Sequence, residues 1–372
     1  MTGIYIHVPF CLRKCPYCGF YSVKYDKSLC EMYTQAVCRN IYSYKGENIS
    51  ADTLYFGGGT PSLLTASQIS EILDAAAAVF KIDNAEITIE ANPSSVNFEK
   101  LKVYRSIGIN RISFGVQSAD DTQLEFLGRL HSFEAASEAV NDAFRAGFEN
   151  ISCDLMLGIA YQDELSLRKS VNALLSLPIK HISAYMLKIE QGTAFDSEEI
   201  YSLTADEELM CRLYLSLCKQ LESSGFEHYE ISNFALDGKR SRHNMKYWTL
   251  EPYIGIGPSA HSDFADKRYF TPNNLESFVR LEQAEKITAE DSPDRAEEYV
   301  MLSLRTSDGI DRKRLEQLSD ADYADSVFAR AAWLQKKFAG KGDLLKLESD
   351  KISLNNEGFL LSNSIITHLV SG

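Results

Sequence analysis

Tyr5-Ile-His-Val-Pro-Phe-Cys-Leu-Arg-Lys-Cys-Pro-Tyr-Cys18 runs from a β-rich stretch straight into three crowded cysteines. Cys11, Cys15 and Cys18 have the spacing C-x3-C-x2-C. Thiolates are soft, strong ligands for iron or zinc. A short loop brings three of them to one centre with little closure cost. A cubane [4Fe–4S] cluster needs four ligands, so three cysteines leave one iron free for a small molecule. The plain alternative is a structural zinc site completed by His7. Such sites usually take two ligand pairs far apart in sequence, and no second C-x2-C pair is present. A catalytic disulfide would favour an isolated C-x-x-C.

Outward from this stretch, β-rich runs at residues 4–8, 53–56, 86–91, 111–116, 151–157 and 181–187 alternate with helical spacing at 69–80, 98–107, 135–146, 165–177 and 207–221. Six strand–helix units in a row argue for an α/β fold on a parallel sheet. Right-handed crossovers then give a doubly wound sheet or a barrel. Polar residues gather at the ends of these runs, which favours a barrel-like arrangement with its site at the C-terminal face, although open sheets also bind ligands there. Residues 229–235 read as one more strand, and 236–289 as a loop-rich connection. Residues 290–372 read as a small, mostly helical C-terminal domain with a β-hairpin at 344–348 and 351–354. The barrel itself is expected to occupy 1–235.

The chain has 372 residues, 45% of them hydrophobic, and a formal net charge of −14. No Lys/Arg run offers a basic face, so a nucleic-acid partner is not expected. No apolar run approaches the roughly 20 residues that span a bilayer. No basic leader with an apolar stretch opens the sequence, and the expected location is the cytoplasm. Cys30, Cys38, Cys153, Cys211 and Cys218 are scattered and read as small buried hydrophobes.

Gly57-Gly58-Gly59-Thr60-Pro61-Ser62 follows the second run. Three glycines allow close backbone approach and are expected to leave N–H groups free to donate. No Gly-Lys-Ser/Thr follows, so this is no P-loop. A tight strand–helix turn capped by Ser62 or Thr65 is the simpler reading. Glu90 ends an alternating run, where its carboxylate could hold ribose hydroxyls. Gln117, Arg129 and Asp154 stand out only by their places relative to the units.

The cysteine spacing, with Tyr17 before the last cysteine, resembles the radical S-adenosylmethionine (SAM) superfamily. That resemblance implies a partial (β/α)6 TIM-like barrel, in agreement with the six units, a [4Fe–4S] cluster whose open iron chelates SAM, and an electron that cleaves SAM to a 5′-deoxyadenosyl radical. Together with Glu90-Ala-Asn-Pro93, Phe114-Gly-Val-Gln117 and Asp154-Leu-Met-Leu-Gly158, the motifs look like the oxygen-independent coproporphyrinogen oxidase family. The likeness runs from Ile4 to about His261 and more faintly beyond. It implies that Tyr5, Tyr17, Gly58, Gly59, Thr60, Glu90, Gln117, Arg129 and Asp154 contact SAM.

That family has an oxidase branch and a heme-chaperone branch. The oxidase has a fourth cysteine where this chain has Phe20, and an N-terminal extension where only four residues precede Tyr5. His243-Asn-Met-Lys-Tyr-Trp248 matches an H-N-x-x-Y-W motif of the chaperones. The resemblance therefore implies a heme chaperone that hands heme to acceptor proteins, respiratory enzymes among them, with no catalytic residue assigned. An oxygen-independent coproporphyrinogen III oxidase is the alternative. Imidazole is the commonest axial ligand of heme iron, so His243 and His261 are the candidate ligands. The bland reading of His243 is a hydrogen-bonding residue among packing aromatics.

Overall fold

The computed structural model describes residues 1–291, 293–340 and 343–371. Six strands lie side by side in chain order: β1 (Thr2–Val8), β2 (Ser50–Gly58), β3 (Lys81–Ala91), β4 (Arg111–Gln117), β5 (Asn150–Leu157) and β6 (His181–Met186). Every neighbouring pair is parallel. The linking helices are α1 (Lys27–Tyr42), α2 (Ala66–Val79), α3 (Phe98–Ser106), α4 (Phe133–Arg145) and α5 (Glu164–Leu175), with α6 (Glu207–Ser223) after β6. Caps fix their starts. Asp26 accepts from Leu29 N, and Thr65 forms a reciprocal capping box with Gln68. Ile4, Ile6, Leu54, Phe56, Ile89, Ile112 and Ile151 point outward and are buried under these helices. This is the partial barrel expected from the sequence.

Two stretches differ from expectation. Residues 229–235 are not one strand but part of an antiparallel pair, β7 (Glu227–Glu230) and β8 (Asn233–Ala235), with β8 on the edge of β6. Residues 236–289 are not a loop-rich connection. They carry α7 (Arg242–Trp248), β9 (Tyr253–Ile256), β10 (His261–Phe264), β11 (Lys267–Phe270) and α8 (Leu275–Arg280), and run into β12 (Ile287–Asp291). β9 pairs in parallel with the free side of β1, and β10, β11 and β12 follow antiparallel. The resulting sheet has twelve strands, in the order β12-β11-β10-β9-β1-β2-β3-β4-β5-β6-β8-β7. The added strands are only four or five residues long, so they lack the long periodic run that marks a strand in sequence.

The C-terminal part contains α9 (Arg295–Ser303), β13 (Ile310–Asp311), α10 (Arg312–Leu318), α11 (Ala321–Phe338), β14 (Leu345–Leu347), β15 (Lys351–Leu354) and α12 (Ser362–Ser371). The expected hairpin is there, with β13 added as a third strand beside β15. Backbone bonds tie this part to the barrel: Ile231 N to Arg305 O at 2.9 Å and Ser307 N to Tyr229 O at 3.0 Å. Arg295 also clamps buried Asp263 of β10 through both terminal nitrogens, at 2.5 and 2.6 Å. Among the described residues no helix is long and apolar enough to cross a membrane.

Breaking a buried ion pair from one side leaves an uncompensated charge and costs about 3–5 kcal/mol. Asp263→Ala is therefore expected to loosen the joint between sheet and C-terminal part. Limited proteolysis should cleave around residues 285–295 faster in the variant; an unchanged digestion rate and melting temperature would count against this role.

Candidate functional site

The cysteine loop leaves the end of β1 and is closed at its base. Phe10–Cys11 pairs in parallel with Val23–Lys24, with Val23 N on Pro9 O at 2.6 Å and Tyr25 N on Cys11 O at 2.9 Å. His7 braces it from below. Its Nε2 donates to Tyr21 O at 3.1 Å, which leaves Nδ1 to accept from Tyr5 OH at 3.1 Å. Cys11, Cys15 and Cys18 are free and half-buried, flanked by exposed Leu12, Arg13 and Lys14.

The glycine turn after β2 holds this loop rather than offering free donors. Gly58 N donates to Glu90 Oε2 at 3.1 Å, Gly59 N to Val8 O at 2.8 Å, and Thr60 N to Phe10 O at 2.7 Å. The expectation of unengaged amides is thus corrected. The glycines are needed because the turn lies against backbone: a Cβ on Gly59 would come within 2.7 Å of Phe10 O and 2.9 Å of Val8 O. Gly58 also has φ +110°, a conformation other residues adopt only at a cost. Thr60 Oγ1 lies 3.8 Å from Cys11 Sγ.

The other expected residues meet at the same mouth. Glu90 accepts from Tyr55 OH at 2.8 Å as well as from Gly58. Burial, with Asp154 nearby, pushes its carboxyl up to about 7. Burial likewise raises Asp154, whose Oδ1 accepts from Ser113 Oγ at 3.2 Å. Gln117 ends β4 at φ +74° beside a register shift, and this kink turns the chain at the mouth. Arg129 donates to Gly115 O at 2.6 Å and reaches Cys15 Sγ at 3.5 Å. Tyr17 packs on Phe195, ring centres 6.0 Å apart. Tyr5 closes the set from β1.

A cluster fits this donor set. Three accessible thiols share one short loop, and a guanidinium beside Cys15 offsets thiolate charge. Among the described residues no three His, Cys, Asp or Glu side chains converge at single-ion spacing. A cubane asks for less convergence, because each thiolate binds a different iron. When bound, the cluster would supply the electron chemistry.

The two histidines singled out stand at opposite ends of the barrel. α7 sits under the strand starts, and His243 is 1% exposed. Its Nδ1 meets Thr53 Oγ1 at 2.8 Å and its Nε2 meets Tyr247 OH at 2.9 Å, with the ring stacked on Tyr55 at 5.1 Å. Both nitrogens are engaged, and burial with Lys246 nearby lowers its pKa to about 3. As placed, His243 braces the barrel floor. His261 is exposed at the start of β10, on the mouth side, because β9 ends there beside β1 and Gly257 packs on His7. Its ring stacks on Phe270 at 5.3 Å.

Of the barrel interior the sequence singled out only His181, as a structural or SAM-side residue. Thr53, Tyr55, Glu86, Thr88, Arg111, Ser113, Ser152 and Ser183 join it at inward, buried positions. Their signal was a period of two, as in Glu86-Ile-Thr-Ile-Glu90 and Arg111-Ile-Ser113, in strands covered outside by helices.

Cys15→Ser is expected to abolish the cluster, since two thiolates hold a cubane poorly; an unchanged iron content after anaerobic reconstitution would overturn that. Gly59→Ala should lower iron content too, by pushing the turn off Val8 and Phe10. It should do so in folded protein, as circular dichroism would register.

Comparison with known proteins adds the lineage. A radical SAM superfamily model matches residues 5–174, and a HemN C-terminal domain model matches residues 291–361. A protein of Bacillus subtilis named heme chaperone HemW is 32% identical, with 98% of each chain covered. The radical S-adenosyl methionine domain-containing protein 1, mitochondrial, of Danio rerio is 32% identical over 98% of this chain and 86% of that one. The solved structure of coproporphyrinogen III oxidase (HemN) from Escherichia coli shares the fold, with a TM-score of 0.84 at 22% identity, covering 100% of this chain and 90% of that one. The chain belongs to the radical SAM superfamily and, within its oxygen-independent coproporphyrinogen III oxidase-like family, to the heme chaperone HemW branch.

Proposed function

We propose that this protein is a cytoplasmic heme chaperone that carries a [4Fe–4S] cluster on Cys11, Cys15 and Cys18. It binds SAM at the barrel mouth and passes heme to acceptor proteins, respiratory enzymes among them. The observation that carries this reading is the apolar rim of the mouth. Large side chains stay exposed on its loops and strand ends: Leu12, Phe20 at 68%, Leu130, Tyr161 at 64% and Tyr185. Exposed apolar surface of this kind marks a binding face, and a porphyrin is a flat apolar partner. Phe20 stands where the oxidase branch has a further cysteine, so this position offers an apolar contact instead of a thiol.

His261 is the better heme ligand of the two. Its imidazole is exposed on that rim, next to the Phe270 ring. His243 would first have to give up Thr53 and Tyr247. In this reading Glu90 and Asp154 hold ribose hydroxyls of SAM, Arg129 faces its charged end, and Tyr5, Gly58, Gly59, Thr60, Tyr17 and Gln117 shape the surroundings. The N-terminal side of the barrel then serves only as support.

Heme titration of the anaerobically reconstituted protein, followed by the Soret band, tests this. We expect saturable binding near one equivalent and at least about tenfold weaker binding in His261→Ala, the loss of a single iron–imidazole contact. His243→Ala should bind heme as the parent does but melt at lower temperature, since removing a buried hydrogen-bonded ring costs about 1–3 kcal/mol. The reverse pattern would return the ligand role to His243. Decarboxylated tetrapyrrole from anaerobic turnover, without saturable heme binding, would replace the chaperone reading by the oxidase.

A further inference from the structure

Arg111 is the largest fully buried side chain among the described residues, 1% exposed, at the inward-facing start of β4. Burying a guanidinium is costly unless it is paired and hydrogen-bonded. Yet Nε and Nη1 of Arg111 make no hydrogen bond to any described protein group. Its register places it. Thr88 of β3 lies opposite Arg111, and Glu90 lies opposite Ser113, one inward layer nearer the mouth. Ser113 in turn holds Asp154. The cation therefore sits one inward layer below Glu90 and two below Asp154, on the axis that leads to the mouth.

Other charges around it do not cancel this placement. Glu86 of β3 is the foremost charge partner of Arg111 from below and also accepts from His243 N at 3.3 Å, so the guanidinium lies between Glu86 and the mouth carboxyls. Tyr55 of β2 and Tyr229 of β7 flank the guanidinium as neutral phenols. His181 of β6 is occupied by Ser152 and Tyr229, at 2.7 Å each, and burial keeps it and His243 of α7 neutral. Tyr185 of β6 and Tyr5 of β1 also face the carboxyls and are uncharged, while Glu230 at the end of β7 is bonded to Ser232 N and Asn233. Arg129 approaches Asp154 from the mouth side but is tied to Gly115 and Cys15. Arg111 is thus the cation built into the barrel interior beneath this pair.

We infer that Arg111 is a positioning residue for SAM binding: its charge, fixed in the barrel below the mouth, keeps Glu90 and Asp154 as acceptors for the ribose hydroxyls. The inference rests on the reading of Glu90 as a SAM contact. A carboxylate accepts from two hydroxyls, whereas a protonated one loses acceptor capacity. Glu90 titrates near 7 with Arg111 among the groups that pull it down. In the parent protein, SAM affinity should hold above pH 7 and fall as pH drops through it. Without the guanidinium the carboxyl rises further, so the loss should begin at higher pH.

The test is equilibrium binding of SAM to the reconstituted full chain between pH 6 and 9.5, for the parent, Arg111→Gln, Arg111→Lys and Glu90→Gln. We expect the Arg111→Gln midpoint to rise by about one unit, a tenfold weaker affinity near pH 7.5 that recovers toward pH 9. Arg111→Lys keeps the charge and should leave the midpoint in place. A uniform loss at every pH with an unmoved midpoint would make Arg111 merely structural and overturn the inference. Should Arg111→Gln fail to fold, Arg111→Lys decides: a midpoint shifted despite the retained charge overturns it, and an unmoved one supports it. Unchanged affinity in Glu90→Gln would instead bring down the assignment of Glu90 itself.

Discussion

Two backbone hydrogen bonds hold the functional end of this molecule together: Gly59 N on Val8 O and Thr60 N on Phe10 O. They join the turn after β2 to the first residues of the cysteine loop, so the loop is fixed before any ligand arrives. Glycine is required there because backbone meets backbone with no room for a Cβ. The same turn donates Gly58 N to Glu90, so one short segment sets both the thiols and a carboxyl of the mouth. Preorganisation of this kind lowers the ordering cost of binding.

The second constraint is the unusual barrel interior. Barrels of this family of folds commonly fill their centre with branched apolar side chains. Here the inward positions carry carboxyls, hydroxyls, imidazoles and a guanidinium, and the apolar core lies outside, between sheet and helices. A hydrogen-bonded floor of His181 with Ser152 and Tyr229, and His243 with Thr53 and Tyr247, closes the chamber from below. Polar networks of this sort rigidify a site when satisfied. That rigidity is what lets the mouth residues work from strand ends rather than from mobile loops.

Much of this was legible in the sequence, for identifiable reasons. The six parallel strands read clearly because each is a compact β-rich run flanked by helical spacing. The mouth residues were legible by position alone, since strand ends in such sheets face the site. The edge formed by β9 to β12 was not, because its four- and five-residue strands gain their stability from β1, some 250 positions away in the chain. His243 could be read as a hydrogen-bonding residue among aromatics, but its partner Thr53, 190 positions away, appears only when α7 is laid under the barrel. The glycine turn was recognised as special, but which atoms its amides engage depends on the approach of β1.

The pairing of β9 with β1 also orders events in time. One flank of β1 stays open until Ile256, far along the chain, has emerged. Gly257 then packs against His7, whose ring holds the far end of the cysteine loop at Tyr21. Contacts of such sequence separation form slowly. The cysteine loop is therefore made well before its brace, and a metal offered to the three thiols before β9 is in place would meet a loop lacking that support.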